Sequence, residues 1–210
     1  PISSLGKPVH NLYMDCNGII YDAVRVHSIS DFKSTGGCTK QDAYETAILQ
    51  HVCDKISEYV AQVNPTQRVF LTFDGVAPVA KMNQQRERRY RTWYTLEMEK
   101  QIELAAAGAA AAAGAASKPI SIIESDESWS TACITPGTAF MNKLHTRMSE
   151  YVADKKGDAS CSASISYPRY ILSSSREPGE GEHKIFEFIR ANPDSHRDQV
   201  TLVHGLDADL

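Results

Sequence analysis

No apolar run in the 210-residue chain reaches the roughly 18 residues a membrane-spanning helix needs, so no membrane-embedded role is expected. The long uncharged stretch, 105–116, is alanine and glycine alone and too weakly apolar to count. No C-x-x-C pair occurs. The five cysteines (Cys16, Cys38, Cys53, Cys133 and Cys161) are odd in number and scattered, which argues against a disulfide framework and a cysteine zinc site. Free thiols in a reducing compartment are the simpler reading. No two of the seven histidines stand i, i+4, the spacing that would put two ligands on one helix face. No signal peptide is visible, although the chain begins at Pro1 rather than at a methionine. No internal repeat is evident. Nor is there a basic excess: the net charge of −4 gives no overall pull toward nucleic acid.

What is present suits a folded domain. Hydrophobic residues make up 42% of the chain, enough for a real core. A strand is expected from Asn11 to Met14, ending at Asp15, and a second from Arg68 to Phe73, running into Asp74-Gly75. Tyr170 to Ser173 and Val200 to Val203 read as two more. Between the first two, apolar residues at helical spacing predict a helix capped by Thr39 and stopped by Asn64-Pro65. Further helices are expected over Val79 to Leu104 and onward into the Ala/Gly segment, over Thr138 to about Ala153, and over His183 to Arg190. Strands alternating with helices predict an α/β fold with a mostly parallel central sheet flanked by helices.

Asp15, Asp74, Glu180, Glu182, Asp207 and Asp209 each lie at, or just after, the carboxyl end of a predicted strand. In a parallel sheet those ends gather on one edge, where ligands bind. Crowded carboxylates repel one another, and divalent cations resolve that conflict. Local alternatives stand beside this reading. An Asp before Gly is a common turn residue, and Glu180 and Glu182 suit the start of the following helix. The interleaved glutamates of Pro178-Gly-Glu-Gly-Glu182 argue against a phosphate-cradling glycine loop.

Charge is uneven. Lys81 to Arg91 holds five cations against Glu87, a net of +4, which leaves −8 for the rest of a chain at −4. Lys81, Gln85, Arg88 and Arg89 fall at i, i+4, i+7 and i+8 and so share one helix face. Two guanidiniums, an ammonium and an amide suit a terminal phosphate. A solvated helix surface is the alternative. Tyr90, Trp93 and Tyr94 interleave with the cations and could stack bases or pack into a core.

The runs Phe73-Asp-Gly-Val-Ala-Pro78, Ala80-Lys-Met-Asn-Gln-Gln-Arg86 with Arg88-Arg89, Ile134-Thr-Pro-Gly-Thr138, Pro178-Gly-Glu-Gly-Glu-His-Lys-Ile185 and Gly205-Leu-Asp-Ala-Asp-Leu210 together resemble the N-terminal domain of the XRN family of 5′→3′ exoribonucleases. They occur in the family's order from about Asn11 to the last residue. The resemblance implies a fold related to the PIN and flap nucleases and one nuclease domain over 1–210, with 105–116 as a low-complexity insertion. It implies that Asp15, Asp74, Glu180, Glu182, Asp207 and Asp209 bind two catalytic Mg²⁺ or Mn²⁺ ions. It implies that Lys81, Gln85, Arg88 and Arg89 hold the 5′-monophosphate of a single-stranded RNA. Tyr21 stands where the family usually has a histidine near the first nucleotide, and is expected as an RNA contact. Most of the family's opening segment, a further acidic ligand and a second conserved region are not in these 210 residues, so the chain is read as truncated at both ends. Family members work in nucleus or cytoplasm, and both remain open. Two other readings remain: a structure-specific flap-type DNA nuclease, and a non-catalytic RNA-end-binding fragment.

Overall fold

The computed structural model describes residues 6–34, 36–112, 129–157 and 168–205. They fall into two compact units, one from Pro1–Ala77 with Trp129–Leu210 and the other from Pro78–Ser128.

The larger unit is a four-stranded parallel sheet flanked by helices. Its strands are β1 (Asn11–Asp15), β2 (Arg68–Thr72), β3 (Arg169–Ser173) and β4 (Thr201–His204), in the order β3-β2-β1-β4. Asp15 pairs with Thr72, Thr72 with Ser173, and Met14 with His204, so all four carboxyl ends meet on one edge. The chain steps outward from β1 through β2 to β3, then returns to place β4 on the far side of β1. That reversal is the kind of switch point at which α/β sheets open a crevice.

Alternation along the strands explains the layers. Leu12 and Met14 of β1, Val69 and Leu71 of β2 and Tyr170 of β3 face one side. There they pack under α1 (Asn17–Val26), α2 (Lys40–Val63) and α4 (Ala139–Gly157). Tyr13 and Phe70 face the other side and meet Ile185, Phe188 and Ile189 of α5 (Gly181–Ala191). Thr39 caps α2 by accepting the Asp42 N–H at 3.0 Å, and Asn64 ends it in a left-handed conformation (φ 49°). The four strands and the helices α2, α4 and α5 fall within a few residues of their expected spans. α1 was not expected. Asn17-Gly18 reads as turn chemistry, yet Ile19, Ile20 and Ala23 are buried in the core and hold this segment as a helix.

The smaller unit is built on α3 (Val79–Ala112), which continues into the Ala/Gly segment as expected. Among the described residues no helix is long and apolar enough to cross a membrane.

In the larger unit one polar network joins α2 to α4. Glu45, 3% exposed, accepts hydrogen bonds from Gln41 (2.8 Å), Trp129 Nε1 (3.1 Å) and Lys143 Nζ (2.7 Å). Lys143 also donates to Asp42 at 2.7 Å, and together with Thr39 holds that carboxyl down at about 2. Burial works to raise the Glu45 carboxyl, but its three donors and the Lys143 charge outweigh this and leave it lowered.

A lowered folded-state carboxyl contributes stability that is complete above its unfolded pKa and lost as pH falls through the folded value. Lys143→Met is therefore expected to cost about 1–2 kcal/mol at neutral pH, Lys143 itself being partly exposed. The variant should also lose less stability than the parent between neutral pH and the acid range. Urea denaturation at the two pH values checks both.

Candidate functional site

β1 ends at Asp15 and α1 begins two residues later. The N-cap of α1, Cys16, makes no side-chain cap bond; instead Asp15 Oδ1 accepts the Asn17 N–H at 3.2 Å. Asn17 then reaches across to the exit of β2. Its Oδ1 accepts the Asp74 N–H at 3.2 Å, and its Nδ2 donates to Asp74 Oδ2. The second Asp74 oxygen, Oδ1, accepts the N–H of Gly181 at 2.8 Å, the first residue of α5. Each strand-end aspartate thus satisfies a first-turn N–H that its helix would otherwise leave unpaired, and sits at the positive end of that helix.

The segment after β3 closes onto the same place. Gly75 N–H donates to Gly179 O at 2.8 Å, and Gly179 N–H donates to Val76 O at 3.0 Å. A Cβ on Gly75 would fall 1.7 Å from the Glu177 carbonyl oxygen, so only glycine fits. A Cβ on Gly181 would lie 2.6 Å from Asp15 Oδ1. Lys184 is buried behind this clasp, its Nζ donating to Phe73 O at 2.7 Å and Ser174 O at 2.8 Å. Glu180 is the N-cap of α5 and Glu182 lies in its first turn. Glu180, Glu182 and His183 each offer a ligand atom, all within 4.8 Å of one another, and His183 Nδ1 lies 3.1 Å from Glu180 Oε2.

Electrostatics at this edge is a contest. Burial raises the Asp74 carboxyl above its usual range; the Gly181 N–H pulls it down, the Glu180 charge pushes it up, and Asn17 and Lys184 pull it down again. The outcome remains a raised carboxyl, because the Gly181 N–H, the Asn17 amide and the Lys184 charge do not offset burial together with the Glu180 charge. Oxygen donors predominate, with a single imidazole beside them. Such a set fits a hard divalent cation of the Mg²⁺ or Mn²⁺ kind, whose charge would relieve the crowding.

Asp15, Asp74, Glu180 and Glu182 are therefore brought to one sheet edge. Asp207 and Asp209 lie outside the described residues. Tyr21 is on α1, half-buried and packed against the core. Lys81, Gln85, Arg88 and Arg89 all fall on α3, where the side chains of Lys81 and Arg89 are exposed. Glu87, the acidic residue within that basic run, pairs with Arg91 at 2.9 Å. Asn17, His183 and Lys184 were not anticipated as parts of the edge. Asn17 carried a signal that could have marked it, a carboxamide two residues after a strand-end aspartate. Lys184 carried none, since a lysine at the start of an amphipathic helix ordinarily faces water.

The family model described as the XRN 5′-3′ exonuclease N-terminus matches residues 3–210. The chain is 38% identical over 215 aligned positions to 5′-3′ exoribonuclease 2 of Schizosaccharomyces pombe, covering 98% of this chain and 20% of that protein. It is 35% identical to the Drosophila melanogaster 5′-3′ exoribonuclease 2 homolog, covering 98% of this chain and 21% of the relative. It is 33% identical to 5′-3′ exoribonuclease 1 of Saccharomyces cerevisiae, covering 95% and 12%. The chain thus spans about a fifth or less of the length of these curated relatives.

Gly75→Ala is expected to cost about 3 kcal/mol, because the obstructing atom is backbone and cannot rotate away. Val76→Ala, at an exposed neighbour, should stay within about 0.5 kcal/mol of the parent. Chemical denaturation of the two variants separates them. Gly181→Ala should displace the Asp15 carboxylate, weakening Mn²⁺ uptake by about tenfold in an electron paramagnetic resonance titration.

Proposed function

The chain belongs to the XRN 5′-3′ exonuclease family, matching its N-terminal region, and on that premise we propose that it forms the catalytic part of a 5′→3′ exoribonuclease. The observation that carries the reading is the gathering of Asp15, Asp74, Glu180 and Glu182 at the carboxyl edge of one parallel sheet, two of them fixed by helix N-termini. Asp207 and Asp209 complete the proposed ligand set.

In this reading the carboxylates hold two Mg²⁺ or Mn²⁺ ions. Bound there, such ions supply the Lewis acidity and the offset of negative charge that phosphodiester hydrolysis needs. Asp74 is held for this task by Asn17 and the Gly181 N–H, so it needs no reorganisation when substrate arrives. Lys81, Gln85, Arg88 and Arg89 grip the 5′-monophosphate of a single-stranded RNA; the fixed fork of a guanidinium suits a phosphate dianion and rejects a 5′-hydroxyl. Tyr21 contributes a contact to the first nucleotide. Hydrolysis breaks the bond between phosphorus and the O3′ of that nucleotide. The released nucleoside 5′-monophosphate keeps a 3′-hydroxyl, and the shortened chain keeps the phosphate. Each cycle therefore regenerates the end group that the α3 cations read, which suits stepwise degradation.

The test uses the full-length protein and one labelled RNA prepared with a 5′-monophosphate or a 5′-hydroxyl, with and without Mg²⁺. Mononucleotide release from the phosphorylated RNA alone, dependent on Mg²⁺ and reduced by at least about 1,000-fold in Asp74→Ala, is the expected result. Equal decay of both RNAs would remove the phosphate-reading role of Lys81, Gln85, Arg88 and Arg89. Binding without decay would reduce the protein to an RNA-end receptor.

A further inference from the structure

Lys184 is 7% exposed, an unusual place for a lysine, and its hydrogen bonds go to two carbonyls rather than to a carboxylate. One acceptor, Phe73 O, belongs to the peptide bond that leads into Asp74. The other, Ser174 O, lies just past the end of β3. Carbonyl oxygens satisfy the geometry of an ammonium without neutralising it. Burial pulls the Lys184 ammonium below its usual range, and the charges of Glu177, Asp74 and Asp15 oppose this without cancelling it. A buried cation without any such field would be strongly unfavourable. The relation is mutual, since Lys184 also stabilises the Asp74 carboxylate that burial and Glu180 destabilise.

We infer that Lys184 is the resident counter-charge of the acidic edge, holding its carboxylates together before divalent ions arrive and setting the affinity for those ions lower than the carboxylates alone would give. It is a positioning residue and does not touch the reacting atoms. The inference rests on the reading of this edge as a divalent-cation site. Its physical basis is competition: a fixed positive charge and an incoming one draw on the same carboxylates, and they repel each other. A tethering lysine with no electrostatic role would behave oppositely, because its loss would loosen the edge and weaken every ligand.

The test compares the parent with Lys184→Gln and Lys184→Arg. Gln can still donate to a carbonyl but carries no charge, whereas Arg retains the charge. Thermal melting in EDTA and Mn²⁺ titration by electron paramagnetic resonance are the readouts, and neither depends on catalysis. Lys184→Gln should melt at lower temperature than the parent in EDTA, gain a larger melting shift from saturating Mn²⁺, and bind Mn²⁺ roughly tenfold more tightly. Lys184→Arg should keep an affinity close to the parent's. Weaker Mn²⁺ binding by Lys184→Gln, or equal tightening by Lys184→Arg, would overturn the inference. If Lys184→Gln is unfolded in EDTA, refolding on addition of Mn²⁺ supports it, and failure to refold overturns it. A parent that takes up no Mn²⁺ would remove the metal reading itself, a result distinct from any difference among the variants.

Discussion

Two aspartates at the exits of adjacent strands must sit close together without flying apart, and the architecture around them follows from that demand. Asp15 and Asp74 end β1 and β2, which pair directly in the sheet. Repulsion is met by the N–H groups at the start of α1 and α5, which would be unpaired in any case. Asn17 links the pair by bonding to both the backbone and the side chain of Asp74. Because helix N-termini supply the donors, the chain has to turn into helix at once after Asp15. α5 must likewise begin beside Asp74 rather than several residues further on. The close contact between Gly181 and the Asp15 carboxylate, and between Gly75 and the Glu177 carbonyl, are the steric side of the same requirement.

Two clusters of charged groups among the described residues differ in how they are compensated. In the network of Glu45, Lys143, Asp42, Gln41 and Trp129 one ammonium is shared by two carboxylates, and neutral donors supply the rest, so that both carboxyls are held low. That network serves packing between α2 and α4. At the sheet edge the match is incomplete: Asp74 remains raised despite three favourable partners. A carboxylate left under-compensated in a folded protein stores an attraction for cations, whereas a fully compensated one does not. The contrast between the two clusters, both built from ordinary side chains, is what the proposed metal reading of the edge draws on.

Much of this arrangement was legible in the sequence. β2 announced itself through a β-branched and aromatic run that ends in Asp-Gly, and α2 through Thr39 at one end and Asn64-Pro65 at the other. Four carboxylates of the edge were legible because a parallel sheet collects strand ends automatically. α1 was hidden because local preference at Asn17-Gly18 favours a turn, and only the burial of Ile19, Ile20 and Ala23 against the sheet reverses it. The partners of Asp74 were hidden for a different reason. Asn17, Gly181 and Lys184 act across 57, 107 and 111 residues of chain, reaching Asp74 or the neighbouring Phe73 carbonyl, and spacing along a sequence carries no record of such contacts. Trp129, in a stretch that reads as a polar loop, was likewise hidden until Glu45 received its indole N–H.

The strand order β3-β2-β1-β4 also bears on the birth of the molecule. β1 leaves the ribosome before the other three strands, yet its partner β4 is the last of the four to be made, with Asn11 paired to Thr201 across 190 residues. The first strand must wait with one side unpaired while the intervening helices fold against its other neighbours. Long-range parallel pairing of this kind is slow, since the loop must close before the contacts repay it. The carboxyl edge is thus assembled only near the end of synthesis of this region, and a nascent chain emerging from its own messenger cannot carry a finished edge until β4 has docked.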